Sequence, residues 1–180
     1  MYFIIYDLEA TCWEGRPPNK TRETIEIGAV KVNAYGEHLD SFNRFIRPVV
    51  HPSLSVFCRK LTSIDQRDVD RAREFPEVIE DFTDWIDTYD EPYVLCAWGR
   101  FDQQQLIRDA ELHRLESDWV RPYVNVKQQY ARMRGWSKPK GLARVVKDEG
   151  FDFTGIQHRA ISDAENLAKV FVKHLDVWQY

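Results

Sequence analysis

Asp7 and Glu9 close the apolar run Met1-Tyr2-Phe3-Ile4-Ile5-Tyr6. Residues two apart on an extended strand project from the same face, so this pair aims two carboxylates at one point. Like charges that close raise each other's pKa and cost stability unless something neutralises them. A hard divalent cation such as Mg²⁺ or Mn²⁺ prefers carboxylate oxygens, and a strand ending in Asp-x-Glu is half of a site for one. Asp102 stands four residues after a second apolar run, Tyr93-Val94-Leu95-Cys96-Ala97-Trp98. His158 and Asp163 stand five apart near the end of the chain. Four acids and a histidine suit one reaction well. Two divalent ions ~3.5–4 Å apart can clamp the attacking and leaving oxygens of a phosphodiester. A neutral imidazole, with an ordinary pKa near ~6.5, can take the proton of the attacking water.

The chemistry requires elements that converge. The strand of residues 1–9 is followed by a second over Thr24 to Val32, interrupted by Gly28, which hints at close packing or a bulge. After the turn signal Asn33-Ala34-Tyr35-Gly36, a third strand is expected over His38 to Arg47. Ser53 is the expected cap of a short helix through Leu61. Phe75, Val78, Ile79, Phe82, Trp85, Ile86 and Tyr89 recur at helical spacing. The run 93–98 reads as a buried, parallel strand. Helices are expected over Arg100 to Leu112, Val126 to Met133 and Leu142 to Lys147, with a weak strand over Tyr123 to Val126. A final helix carries Ile161, Ala164, Leu167, Ala168, Phe171, Leu175 and Trp178. The whole reads as an α/β chain with a mixed five-stranded sheet flanked by helices, in the element order of a ribonuclease-H-like fold.

Asp102 falls in the first turn of its helix, where the dipole favours an acid whether or not it does chemistry. In open α/β sheets, ligands gather beyond the carboxyl ends of strands. If the run 93–98 lies parallel to the first strand, Asp102 and the Asp7/Glu9 pair share that end. Five residues turn a helix by a net ~140°, so His158 and Asp163 cannot both be helical and face one point. The economical arrangement leaves His158 in the loop before the final helix, near Gly155, with Asp163 in the first turns beside the apolar stripe. His158 read alone is more readily a surface loop histidine than a catalytic one.

At 180 residues the chain fits one domain, 1–180. The formal net charge of −4 disfavours a broad, non-specific nucleic-acid binder. The distribution is more informative, because no Asp or Glu occurs from Trp119 to Lys147, where Arg and Lys alternate with Tyr123, Tyr130 and Trp136. Basic residues among aromatics suit a single-stranded polyanion, and a solvated basic face has the same composition. Cys12, Cys58 and Cys96 are odd in number and far apart, which argues against a disulfide framework or zinc site and fits a reducing cytosol. An apolar strand from residue 2 leaves no room for a signal peptide, and no apolar run approaches the ~20 residues of a membrane span. A cytoplasmic protein with no membrane partner is expected.

The motifs resemble those of DEDDh-type 3′→5′ exonucleases. Asp7-Leu8-Glu9-Ala10-Thr11-Cys12 resembles the first exonuclease motif, Trp98-Gly99-Arg100-Phe101-Asp102 the second, and the segment from His158-Arg159-Ala160-Ile161-Ser162-Asp163 to Asn166 the third. The stretches Leu54 to Gln66 and Lys138-Pro139-Lys140-Gly141-Leu142 are similar to the Eri-type, KapD-like branch. The resemblance implies that Asp7 bridges two metals, that Glu9 and Asp163 bind the ion that activates water, that Asp102 serves the second ion, and that His158 is the general base. It further implies that Ala10 and Thr11 touch the terminal nucleotide and that Phe57 and Phe101 stack on its base. Phe57 also reads as core, Phe101 replaces a common Trp, Ser63 a common Gly and Ser162 a common Asp. The expected activity is release of 5′-mononucleotides from single-stranded 3′ ends, RNA favoured over DNA, with Mg²⁺ or Mn²⁺. The same residues suit a DNA proofreading or repair exonuclease, or a catalytically silent binding module. Asp-Leu-Glu-Ala-Thr also superficially resembles the nucleophile loop of haloacid-dehalogenase-type phosphatases, with Lys147-Asp148-Glu149 a poor match for the partners needed.

Overall fold

The computed structural model describes residues 1–15, 17, 19–86 and 91–180. Its strands are β1 (Tyr2–Ala10), β2 (Thr24–Asn33), β3 (His38–Phe45), β4 (Tyr93–Ala97) and β5 (Tyr123–Asn125), in the spatial order β3-β2-β1-β4-β5. β1, β2 and β3 form an antiparallel meander, while β4 and β5 add to β1 in parallel. The expected mixed five-stranded sheet is therefore present, with the parallel β1–β4 pair that sharing one strand end requires. The helices are α1 (Val56–Thr62), α2 (Gln66–Asp70), α3 (Phe75–Ile86), α4 (Phe101–His113), α5 (Val126–Met133), α6 (Leu142–Asp148) and α7 (Ala160–Lys173). None of the described helices is long and apolar enough to cross a membrane.

The pleat of β1 assigns its side chains to two cores. Phe3 and Ile5 pack under α5, α6 and α7 with Val145, Leu167 and Phe171. Ile4, Tyr6 and Leu8 pack on the opposite face, against α3 and α4, with Phe82 and Leu106. Asp7 and Glu9 continue the odd-numbered face, so strand periodicity directs both toward α7. A third cluster, around Ile25, Cys58 and Val69, seats α1 and α2 beside the end of β1.

Several boundaries differ from expectation for identifiable reasons. Ser55, not Ser53, caps α1, its Oγ accepting from the Cys58 N–H at 2.9 Å. Strand β3 ends at Phe45, and Arg47 makes an isolated bridge with Glu74. The final helix stops at Lys173 rather than reaching Trp178. Trp178 folds back instead, stacking on Phe171 at 5.3 Å and donating its indole N–H to the Phe171 carbonyl at 2.9 Å. That carbonyl, in the last turn of the helix, also accepts the His174 N–H at 3.2 Å, so the indole adds a second bond at the helix end. Helix α2 was not expected, since a five-residue helix burying only Val69 shows no periodicity. Tyr89 lies outside the described residues.

Candidate active site

Strand β1 outruns its parallel neighbour. Its pairing with β4 stops at Ile5↔Cys96, whereas its pairing with β2 continues through Glu9↔Glu26. The protruding end carries Asp7 and Glu9 beyond the last residue pair shared with β4. Gly99, at φ +128°, turns the chain sharply after β4 and lets α4 begin at Phe101. Asp102, buried in the first turn, then reaches back, its Oδ1 accepting from the Leu8 N–H at 3.2 Å. Asp102 thus covers a β1 donor beyond the end of β4, which fixes its carboxylate beside Asp7 and Glu9.

Helix α7 enters from the other side. An ideal Cβ on Gly28 would lie 2.5 Å from the Ile161 Cα, and closer still to Ile161 N and the Ala160 carbonyl carbon. Gly28 pairs with Asp7 in the sheet, so the absent side chain lets the start of α7 rest on the strand next to Asp7. His158 is in the loop as expected, with φ +61°, and its backbone N–H donates to Asp163 Oδ2 at 3.1 Å. Ligand atoms of Glu9, His158 and Asp163 all lie within 4.8 Å of one another. His158, to which the sequence assigned only a base role, therefore also stands within reach of an ion held by Glu9 and Asp163.

Asp7, Glu9, Asp102, His158, Asp163 and Phe101 line one cleft of about 390 Å³. Burial, with Asp102, Asp163 and Glu9 as neighbouring negative charges, holds the Asp7 carboxyl well above its ordinary range. Burial, then Asp163 and Glu26, pushes Glu9 up to about 9. Burial likewise raises Asp102 to about 7, against the opposing effect of its bond from Leu8, and lifts Asp163. Among the described residues none of the four makes a salt bridge. Clustered carboxylates with no cationic side chain of their own fit a hard divalent cation in donor type and in sign.

These raised pKa values have a stability consequence. An acid whose folded pKa exceeds its unfolded value leaves the folded state holding more protons than the unfolded state between the two, so stability falls as pH rises through that window. For Glu9 the window runs from about 4.5 to about 9. The metal-free protein should therefore lose melting temperature between pH 5 and pH 8, and saturating Mn²⁺ should flatten the slope by favouring the ionised carboxylates. A chelated sample whose melting temperature is level or rises over that range would contradict this electrostatic account.

The expected nucleotide contacts divide. Phe101 lines the acidic cleft and Phe57 a neighbouring hollow of about 420 Å³. Both rings are exposed, at 38% and 39%, so Phe57 is not a core residue. Ala10 and Thr11 are buried, and Thr11 exchanges hydrogen bonds with Glu23 through its Oγ1 and its N–H. Their side chains do not line the cleft. Arg22 was not foreseen: its guanidinium lies 5.6 Å from the Phe101 ring and lines the Phe57 hollow, joining the two aromatics. Arg144, from the acid-free stretch, does line the cleft. Part of that stretch is neutralised from outside it, with Lys140 and Arg144 on Asp148 and Arg134 near Glu149. The same pairs occupy the acids that a phosphatase reading would need. A hollow of about 700 Å³ between β2 and α7, around Val32 and Val172, is mostly apolar and holds no comparable set of groups.

The model of the exonuclease family RNase_T matches residues 4–171. Among curated proteins the chain is similar to human 3'-5' exoribonuclease 1, 31% identical, over 97% of this chain and 52% of that protein. The chain thus spans about half the length of the curated relatives it matches first. Among solved structures it is similar to the nuclease domain of 3'hExo, a DEDDh family member, bound to rAMP, with 31% identity and a TM-score of 0.89 over 97% of this chain and 92% of that one. A 3'-exonuclease described in 3'-end specific recognition of histone mRNA stem-loop matches at 30% identity and a TM-score of 0.90, over 97% of this chain and 81% of that one.

Proposed function

From a chain that belongs to the RNase_T exonuclease family, we propose a divalent-metal-dependent 3′→5′ exonuclease that releases 5′-mononucleotides from single-stranded 3′ ends, RNA in preference to DNA. The observation that carries this reading is the convergence of four acids and one histidine, from β1, α4, α7 and the loop before α7, on one cleft. The names of the relatives support RNA. Residues 1–180 act as one exonuclease domain, and free cysteines buried in its cores fit a reducing compartment such as the cytoplasm.

Asp7, Glu9, Asp102 and Asp163 would hold Mg²⁺ or Mn²⁺, with Asp7 central to both ion positions. When bound, the ions would supply charge stabilisation to the attacking and leaving oxygens of the phosphodiester. His158, exposed at the mouth of the cleft, takes the proton of the attacking water. Phe101 and Phe57 offer faces for the terminal base, a contact worth ~1–3 kcal/mol per base and tolerant of base identity. Ala10 and Thr11, whose side chains are buried, would meet that nucleotide through their backbone groups. The bond that Asp102 Oδ1 accepts from the Leu8 N–H keeps its carboxylate placed where it would help to hold the ion.

One assay tests the reading. The protein is given 5′-labelled single- and double-stranded RNA and DNA oligonucleotides with Mn²⁺ or Mg²⁺. The expected outcome is a one-nucleotide ladder shortening from the 3′ end, fastest on single-stranded RNA and abolished by chelator. Faster shortening of DNA would favour a repair-type exonuclease, and binding without shortening a silent module.

A further inference from the structure

Glu26 is an acid in the middle of a central strand, between Ile25 and Ile27, and is fully buried. It stands opposite Glu9 on one side and Phe45 on the other. A carboxylate buried there requires partners. It finds them 133 residues away, in Arg159. Arg159 Nε donates to Oε2 at 3.1 Å and Nη2 to Oε1 at 2.9 Å, a two-pronged pair that fixes orientation as well as distance. The Ala160 N–H, at the first turn of α7, donates to Oε2 at 3.0 Å. The guanidinium also lies 5.1 Å from the Phe45 ring. Both Glu26 oxygens are thereby occupied, which separates this acid from the four that face the cleft.

The residue before Arg159 is His158. Its positive φ, unusual for a residue with a side chain, persists only where the surroundings over-determine it. One constraint is the bond from its N–H to Asp163. The other is the clamp on the next two residues. We propose that Glu26, through Arg159 and Ala160, is a positioning residue for His158, setting where the imidazole stands over the Glu9–Asp163 pair. The inference rests on the assignment of His158 as the proton acceptor.

The test is a cycle. Glu26→Gln and Arg159→Lys, which keeps the charge and loses the fork, are each made alone and in a His158→Ala background. Rates are measured on a single-stranded RNA oligonucleotide with Mn²⁺. Each single variant should lose about 10–100-fold in kcat, the scale on which supporting partners of a site act, with KM changed by no more than about twofold. Neither should lower the rate further once His158 is alanine, because it acts only through that ring. Losses that multiply in the His158→Ala background, or that fall on KM, overturn the proposal. Should Glu26→Gln not fold, Arg159→Lys decides by the same criteria. If the wild-type chain hydrolyses none of the oligonucleotides, the functional reading fails, and amide exchange in the metal-free protein decides the positioning claim. The His158 N–H should exchange faster in Glu26→Gln or Arg159→Lys while β1 core amides keep their protection; an unchanged His158 amide overturns it.

Discussion

Asp7→Asn should abolish hydrolysis and raise the melting temperature of the metal-free protein. Asparagine keeps the shape of the side chain and removes the charge. The activity loss should be at least about a thousandfold, since metal charge stabilisation is worth several kcal/mol and each ~1.4 kcal/mol is tenfold in rate. The stability gain has a separate origin. Asp7 is held well above the ordinary carboxylate range first by burial and then by Asp102, Asp163, Glu9 and Glu26. At neutral pH the unfolded chain ionises Asp7 freely, whereas the folded, metal-free chain either retains the proton or tolerates the repulsion, and both disfavour folding. A neutral amide at this position removes that difference. In a protein of this size a gain of about 1 kcal/mol raises the melting temperature by about 2–4 °C. The two readouts should also separate on adding Mn²⁺, which stabilises wild type by binding the folded state and stabilises Asp7→Asn much less. Retained hydrolysis would remove Asp7 from the catalytic set. A fall in metal-free melting temperature would show that Asp7 has a cationic or hydrogen-bonded partner that holds the fold together.

What was legible in the sequence follows from period and length. The alternation along β1, the helical stripe of α3 and the short apolar run of β4 each repeat often enough to show their element, and they place Asp7, Glu9 and Asp102 at one sheet end. The turn geometry between His158 and Asp163 was legible because it is arithmetic on residue spacing. Helix α2 was hidden because its one buried residue shows no period. The end of α7 was hidden because Leu175 and Trp178 keep the apolar spacing after the helix has stopped. Trp178 serves the core all the same, by folding back onto Phe171. The acid-free window looks wholly available for a polyanion only because Asp148 and Glu149 fall just outside it. Glu26 does carry a signal: an acid between two isoleucines in a central strand has to be neutralised somewhere, although nothing local says by which residue. Arg22 carries none, since its neighbour Phe101 is remote in sequence.

Gly28→Ala should cost about a hundredfold or more in activity although the residue touches no substrate. The conformation of Gly28 is not the reason, for its φ lies outside the left-handed region that favours glycine. The reason is space. The added methyl would sit 2.5 Å from the Ile161 Cα, with backbone atoms of Ala160 and Ile161 nearer still. Carbon contacts settle at about 3.5–4.0 Å, so the start of α7 must retreat by roughly 1 Å. Backbone within a helix cannot step aside as the tip of a flexible side chain can. The retreat moves Asp163, in the first turn of α7, away from Asp7, which pairs with Gly28 itself. It also pulls on the His158 loop through Arg159. A misplacement near 1 Å costs on the order of 100-fold in rate. The same overpacking costs about 1–3 kcal/mol of stability. Gly36→Ala is the informative control. Its Cβ would meet Val172 Cγ1 at 2.8 Å, near the far end of the same helix, and its φ of +81° adds backbone strain. Gly36→Ala should therefore lower the melting temperature comparably and leave kcat close to wild type when assayed well below it. Equal losses of kcat in both variants would attribute the Gly28 effect to general destabilisation of α7. A Gly28→Ala enzyme with wild-type kcat would mean that the helix and the acidic pair need not approach as closely as the glycine allows.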